Sequence, residues 1–131
     1  MTTAEIGVIG RFFQAVLGGD AATVKELVHP DCVTHEPTDL PYGGEYVGPD
    51  GLLAMFGQVI QNLSFTVEGE PQMLPVGDGR VLVRMDATFT ALASGRTASF
   101  PVAEIYTVRD GQIVDIDVFY KEPGAVCALL A

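Results

Sequence analysis

The sequence predicts one α+β domain, in which three N-terminal helices pack against a strongly curved antiparallel sheet. Apolar residues recur at helical spacing in the first half of the 131-residue chain. The second half alternates apolar and polar residues, and two dipeptides typical of hairpin turns, Ser94-Gly95 and Asp110-Gly111, interrupt it. Helices followed by hairpin-connected strands are typical of the α+β class. We therefore treat residues 1–131 as a single domain, as the length suggests.

Three helices are expected in the first half. The first covers residues 2–17 and ends at a pair of glycines, which favour the left-handed conformation that follows a helix. Asp20 can cap a second, short helix, which should end at His29 because a residue before proline avoids the α conformation. The third helix covers residues 49–63 and opens on a proline, which suits a first helical turn.

The predicted strands begin with a short one over residues 32–36. A loop rich in proline and glycine follows over residues 37–49. A short helical turn over residues 123–130 ends the chain. The strands after the third helix form an antiparallel meander over residues 65–70, 80–93, 96–108 and 112–120.

Composition narrows the range of functions. Hydrophobic residues make up 48% of the chain and charged residues 18%, which indicates an apolar cavity, an oligomer interface or both. The net charge of −10 disfavours nucleic-acid and membrane-surface partners, because both are themselves negative. The N-terminus has no signal-peptide pattern, and the two cysteines suggest no disulfide framework. We therefore expect a cytoplasmic protein that binds neither nucleic acid nor membrane.

Glu104 interrupts an apolar strand face. Because strand side chains alternate between faces, Phe100, Val102, Glu104 and Tyr106 share one side of their strand. Desolvation raises the pKa of a carboxyl in such a place and can leave it protonated, able to donate a hydrogen bond to an enolate. The alternative is that Glu104 lies at a wet edge or pairs with a basic residue.

Glu36 and His35 are the other candidates for chemistry. Glu36 ends the first strand just before the long loop, where catalytic residues often lie, although it could also be a solvated turn residue. His35 could be a general base, but strict alternation turns it away from Glu36 unless a bulge intervenes. The chain has two histidines and no metal-binding or nucleotide-binding motif, so no metal and no cofactor is expected.

Several short segments carry a family resemblance through their order and spacing. They are Arg11-Phe12-Phe13, Gly19-Asp20, His29-Pro30-Asp31, residues 32–37, residues 40–48, residues 48–51 and Asp110-Gly111-Gln112-Ile113. Together they resemble the nuclear transport factor 2-like superfamily over nearly the whole chain. The most similar branches are the ketosteroid isomerases and the SnoaL-like polyketide cyclases. The resemblance implies a cone-like, cystatin-like α+β fold.

The resemblance also implies roles for the two glutamates. The isomerases use a carboxylate base at the end of the first strand, and the matching residue is Glu36. They use a protonated carboxylic acid on a central strand as an oxyanion donor, and the matching residue is Glu104. We expect Glu36 to stay ionised near the mouth of a pocket and Glu104 to stay protonated deeper inside.

Two positions depart from the pattern of these relatives. Where the isomerases carry a tyrosine donor on the first helix, this chain has Phe12, and Tyr106 or Tyr120 could replace the missing hydroxyl. Where the cyclases carry an acidic residue on the last strand, this chain has Val118. The resemblance therefore implies a shared pocket without fixing one known reaction.

The expected ligand is a small apolar molecule with a carbonyl group, and the expected activity is proton abstraction next to that carbonyl, of isomerase or cyclase type. The alternative is a non-catalytic module of the same fold that binds a small ligand or a protein. We expect a homodimer packed through the outer sheet face, which should carry Ile105, Ile113 and Phe119. The residues expected to line the pocket are Phe12, Val16, Phe56, Phe89, Val102, Tyr106, Val118 and Tyr120.

Overall fold

The fold was analysed in a computed structural model, which describes residues 2–131 and the side chains from residue 4 onward. The α+β prediction is confirmed. The described chain contains helices α1 (Thr2–Leu17), α2 (Ala21–Leu27), α3 (Gly48–Asn62) and α4 (Pro123–Leu130). Its strands are β1 (Val28–Glu36), β2 (Gly44–Val47), β3 (Leu63–Gly77), β4 (Arg80–Ala91), β5 (Thr97–Arg109) and β6 (Gln112–Tyr120).

The six strands form one sheet in the order β2-β1-β6-β5-β4-β3. The predicted antiparallel meander runs from β3 to β6. The pair β1–β6 is instead parallel. Strands β2 to β5 and helix α3 lie between these two strands in the chain and form the long crossover that a parallel pair needs. Register shifts in β1–β6, β3–β4 and β5–β6 bend the strands, and the helices cover the concave side.

Several elements differ from the prediction. Helix α2 ends at Leu27 rather than at His29, because Val28 is already extended and pairs with β6. Strand β3 is longer than predicted and continues to Gly77, and β4 ends at Ala91. Strand β2 lies inside the predicted loop, where its residues pair with the end of β1. The C-terminal segment forms a complete fourth helix.

The core lies between the helices and the inner face of the sheet. In β4 the side chains alternate strictly between buried and partly exposed. Among residues 4–131, the largest fully buried side chains include Ile9 and Phe12 from α1, Leu52 from α3 and Tyr106 from β5. No helix in this part of the chain is both long enough and apolar enough to cross a membrane.

The prediction that Ile113 lies on the outer sheet face is wrong. Ile113 is fully buried. Thr107 of β5 pairs with Asp115, whereas the next residue, Val108, pairs with Ile113, so Val114 is an extra residue in β6. This β-bulge reverses the alternation and turns Ile113 inward.

Candidate functional site

Glu36 and Glu104 flank Val118 on the inner face of the sheet. Glu104 of β5 pairs directly with Val118 of β6. On the other side of β6, His35 pairs with Asp117, so that Glu36, the next residue of β1, lies beside Val118. Two strand spacings, roughly 10 Å, separate the two glutamate backbones. The topology thus brings together two residues that are 68 positions apart in the chain.

Glu36 is a buried carboxyl without a hydrogen-bond partner. Its exposed fraction is 8%, and its Oε1 atom is buried with no donor among the described residues. Burial raises the pKa of Glu36 to about 8, and the charge of Glu104 adds to the rise. Glu36 therefore holds its proton at neutral pH.

Glu104 has a hydrogen-bond donor. The hydroxyl of Tyr106 donates to Oε1 of Glu104 over 2.8 Å. Burial raises the pKa of Glu104 to about 7, and the bond from Tyr106 opposes the rise because it stabilises the ionised form. The side chain of Glu104 is half-buried.

The expectation that Glu36 stays ionised is wrong, whereas the pKa of Glu104 is raised in the expected direction. Burial raises the pKa of Glu36 to about 8 and that of Glu104 to about 7. The hydroxyl of Tyr106 opposes the rise at Glu104, because it supports a negative charge on this carboxyl. Glu36 has no such donor among the described residues, so burial raises its pKa unopposed.

Two tyrosines form a hydroxyl pair near Glu36. The hydroxyl oxygens of Tyr42 and Tyr120 lie 2.9 Å apart. Burial raises the pKa of Tyr42 to about 12 and that of Tyr120 further still, and the charge of Glu36 contributes to both shifts. Both are therefore neutral phenols. Of the two predicted substitutes for the missing donor, Tyr120 is available, whereas Tyr106 is engaged by Glu104.

Tyr42 was not predicted as a site residue. It lies between β1 and β2, within the loop predicted over residues 37–49. The available signal was its spacing from Leu40, since two apolar residues two positions apart favour an inward-facing stretch. Both are buried in the structure.

The eight predicted lining residues belong to, or pack against, one apolar cluster. The ring centroids of Phe12 and Tyr106 are 5.9 Å apart, and those of Phe89 and Tyr120 are 5.3 Å apart. Phe100, which was not among the predicted lining residues, stacks on Phe89 with a distance of 5.2 Å between the ring centroids. The buried members are Phe12, Phe89, Val102, Tyr106 and Val118, and the half-buried members are Val16, Phe56 and Tyr120.

His35 lies on the opposite side of the sheet from the glutamates. Its Nδ1 atom is 2.9 Å from Oε2 of Glu45, and its Nε2 atom is 2.9 Å from Oδ1 of Asp115. Burial lowers the pKa of His35, but the hydrogen bonds and charges of Asp115 and Glu45 outweigh this effect and raise it overall. His35 therefore ties β2 to β6. Within the described side chains, no group of three or more potential ligands is arranged to hold a metal ion.

Solved structures share this fold at low sequence identity. An NTF2-like protein from Burkholderia xenovorans LB400 has a TM-score of 0.92 at 21% identity, covering 100% of this chain and 98% of its own. TerC, co-crystallised with polyporic acid, has a TM-score of 0.76 at 21% identity, with coverages of 98% and 99%. A candidate SnoaL-like polyketide cyclase from Jannaschia sp. CCS1 has a TM-score of 0.74 at 21% identity, with coverages of 98% and 93%.

Sequence comparison identifies the family. No curated protein matches the chain. The model of the SnoaL-like domain matches residues 9–116, which include both glutamates and most of the sheet. Because this match covers most of the sequence, the chain belongs to the SnoaL-like domain family.

Proposed function

We propose that the protein binds a small apolar carbonyl compound and moves a proton at the carbon next to its carbonyl group. The observation that carries the proposal is the pair of glutamates on either side of Val118, set in an apolar cluster with different hydrogen-bond partners. Two carboxyls whose pKa values are pushed apart can act as a base and an acid in one site.

The different environments of the glutamates support a division of roles. Glu104, stabilised as an anion by Tyr106, takes the proton from the carbon next to the carbonyl. Glu36, which holds a proton, donates a hydrogen bond to the carbonyl oxygen as negative charge develops there. Return of the proton from Glu104 to another carbon gives an isomerase. Attack of the enolate carbon on an electrophilic carbon of the same molecule gives a cyclase.

The Tyr42–Tyr120 pair can supply a second hydrogen-bond donor to the oxyanion. One of the two hydroxyls donates its proton to the other, and the proton of the accepting hydroxyl stays free to be donated to a ligand. Tyr120 follows Val118 by two residues on the same face of β6, so its hydroxyl group is on the side of the glutamates. This pair takes the role of the first-helix tyrosine that Phe12 replaces.

The surroundings of the glutamates favour an apolar, uncharged ligand. The aromatic rings of Phe12, Phe89 and Phe100 belong to the same cluster, and a charged ligand would lose its hydration there. TerC, which has the same fold, was co-crystallised with polyporic acid, which supports a small-molecule ligand.

The test is proton exchange, which does not require the natural substrate. The protein is incubated in D₂O with 2-tetralone, a small apolar ketone, and NMR follows deuterium uptake next to the carbonyl. We expect catalysed exchange, with a loss of roughly 10²-fold or more for Glu104→Gln and Glu36→Gln. Glu70→Gln changes an exposed glutamate of β3 and serves as the matched control.

Two outcomes would contradict the proposed enzymatic activity. One is exchange that Glu104→Gln leaves intact. The other is tight binding of 2-naphthol, a planar phenol of similar size, without any exchange of 2-tetralone. The second outcome would favour the non-catalytic binding module.

A further inference from the structure

A cleft opens on the surface next to Tyr42. It has a volume of about 130 Å³ and lies where the β1–β2 connection, the end of α3, the start of β3 and α4 meet. Cavities of roughly 150 Å³ hold a benzene-sized molecule, so the cleft can hold one small substituent or ring. The residues that matter for its chemistry are Tyr42, Gln58, Gln61, Asn62, Leu63 and Leu130.

Three amide side chains line this cleft from one helix. Gln58, Gln61 and Asn62 are spaced i, i+3 and i+4, which places them on one face at the end of α3. All three are exposed. Amides donate and accept hydrogen bonds without carrying charge. No charged side chain is among the described residues that line the cleft, so it suits a neutral polar group.

Tyr42 contacts both the cleft and the tyrosine hydroxyl pair near the glutamates. It borders the cleft, although the residue is only 4% exposed, and its hydroxyl bonds to that of Tyr120. The backbone around Tyr42 is firmly held, because the Tyr46 hydroxyl donates to the Tyr42 carbonyl oxygen over 2.9 Å. Gly43 is also packed so tightly that a Cβ there would lie 2.2 Å from the Pro37 carbonyl oxygen.

We propose that the cleft is an outer subsite for the same ligand, in which Gln58, Gln61 and Asn62 bind an uncharged hydroxyl, carbonyl or amide group. The inference rests on the proposed function, which places the carbonyl end of the ligand at the two glutamates. The apolar part of the ligand lies along the ring of Tyr42, which contributes aromatic contact over its length. The substrate is therefore an apolar ring compound with a carbonyl at one end and a neutral polar group at the other.

The test compares two probes by fluorescence titration. The first is 2-naphthol, and the second is 6-(hydroxymethyl)-2-naphthol, which adds a neutral polar group at the far end. We expect the second probe to bind the unaltered protein roughly fivefold more tightly, the effect of one net hydrogen bond. The double variant Gln58→Leu/Asn62→Leu should bring this ratio close to one. Gln14→Leu changes an exposed glutamine of α1 outside the cleft and should keep the ratio.

A ratio near one in the unaltered protein, or the same ratio in the double variant, would overturn the subsite. Failure of both naphthols to bind would overturn it as well. Exchange of 2-tetralone is measured separately on the unaltered protein. Exchange with no hydroxymethyl preference rejects the subsite and leaves the proposed reaction standing, whereas a preference that depends on the amides without exchange supports the subsite and rejects the reaction.

Discussion

Tyr106 donates a hydrogen bond to Glu104 from two positions along the same strand face, over 2.8 Å. This bond stabilises the ionised form of Glu104, so its removal should raise the pKa of Glu104 above about 7. In Tyr106→Phe, the rising limb of the pH–rate profile for 2-tetralone exchange should therefore move by roughly one pH unit to higher pH. A lower rate with an unmoved rising limb would show that Glu104 is not the base.

The unaltered protein should have a bell-shaped pH–rate profile. The rate should rise with pH through about 7, as Glu104 loses its proton, and fall above about 8, as Glu36 loses the proton that it donates. Exchange of 2-tetralone measured between pH 5 and 10 tests this. In Glu36→Gln the falling limb should disappear, because the amide does not titrate. A falling limb that persists in this variant would assign it to another group.

Glu36 should make the stability of the protein depend on pH. The pKa of its carboxyl is raised from 4.5 to about 8 in the folded state, so the folded state binds more protons than the unfolded state between these values. Stability therefore falls as pH rises through this window, by an amount on the order of a few kcal/mol. Urea denaturation at pH 5, 7 and 9 should show a smaller fall for Glu36→Gln than for the unaltered protein. Parallel falls would contradict the assignment.

The tyrosine pair should contribute to rate more than to binding. Tyr120→Phe removes a hydroxyl near the developing oxyanion and should lower the rate of exchange by roughly tenfold or more, the scale of a lost oxyanion donor in a site that keeps another. Its effect on the Kd of 2-tetralone should be smaller, since the ring and its packing remain. Equal changes in rate and affinity would indicate uniform binding instead.

We propose that two copies pair through the outer sheet face. Phe119 is 49% exposed there, and Ala103 lies directly beside it on β5. Exposed apolar surface of this kind is typical of an interface. Light scattering at micromolar concentration should give twice the mass of one chain, and Phe119→Asp should reduce it to one chain. A single-chain mass for the unaltered protein would reject the dimer.

Much of the fold was predictable because local patterns and tertiary structure agree. The hairpin at Asp110-Gly111 and the helical spacing of α3 are visible in the sequence and present in the structure. The inward orientation of Glu104 followed from alternation alone. The short strand β2 was not predictable, because four residues between glycines acquire strand structure only by pairing with β1.

The parts of the site that the sequence does not predict depend on contacts between distant segments. The position of Glu36 beside Val118 comes from parallel pairing across most of the chain, which no local pattern specifies. The stabilisation of an ionised Glu104 depends on one hydroxyl, that of Tyr106, reaching its carboxyl. The contact of Tyr42 with Tyr120 depends on the fold of the β1–β2 connection, because 78 positions separate the two residues in the chain.

The extra residue Val114 determines which side chains of β6 face the inner side of the sheet. Ile113 faces inward before the bulge, and Val118 and Tyr120 face inward after it. Strict alternation from Ile113 would instead turn the odd-numbered residues inward along the whole strand. If Val114 instead took a place in the ladder opposite Thr107, every later residue of β6 would move by one position, and Asp117 would lie opposite Glu104 in the place of Val118. Three carboxylates would then crowd one site, a composition suited to cation binding rather than to proton transfer. The bulge at a single residue thus decides which chemistry this strand can present.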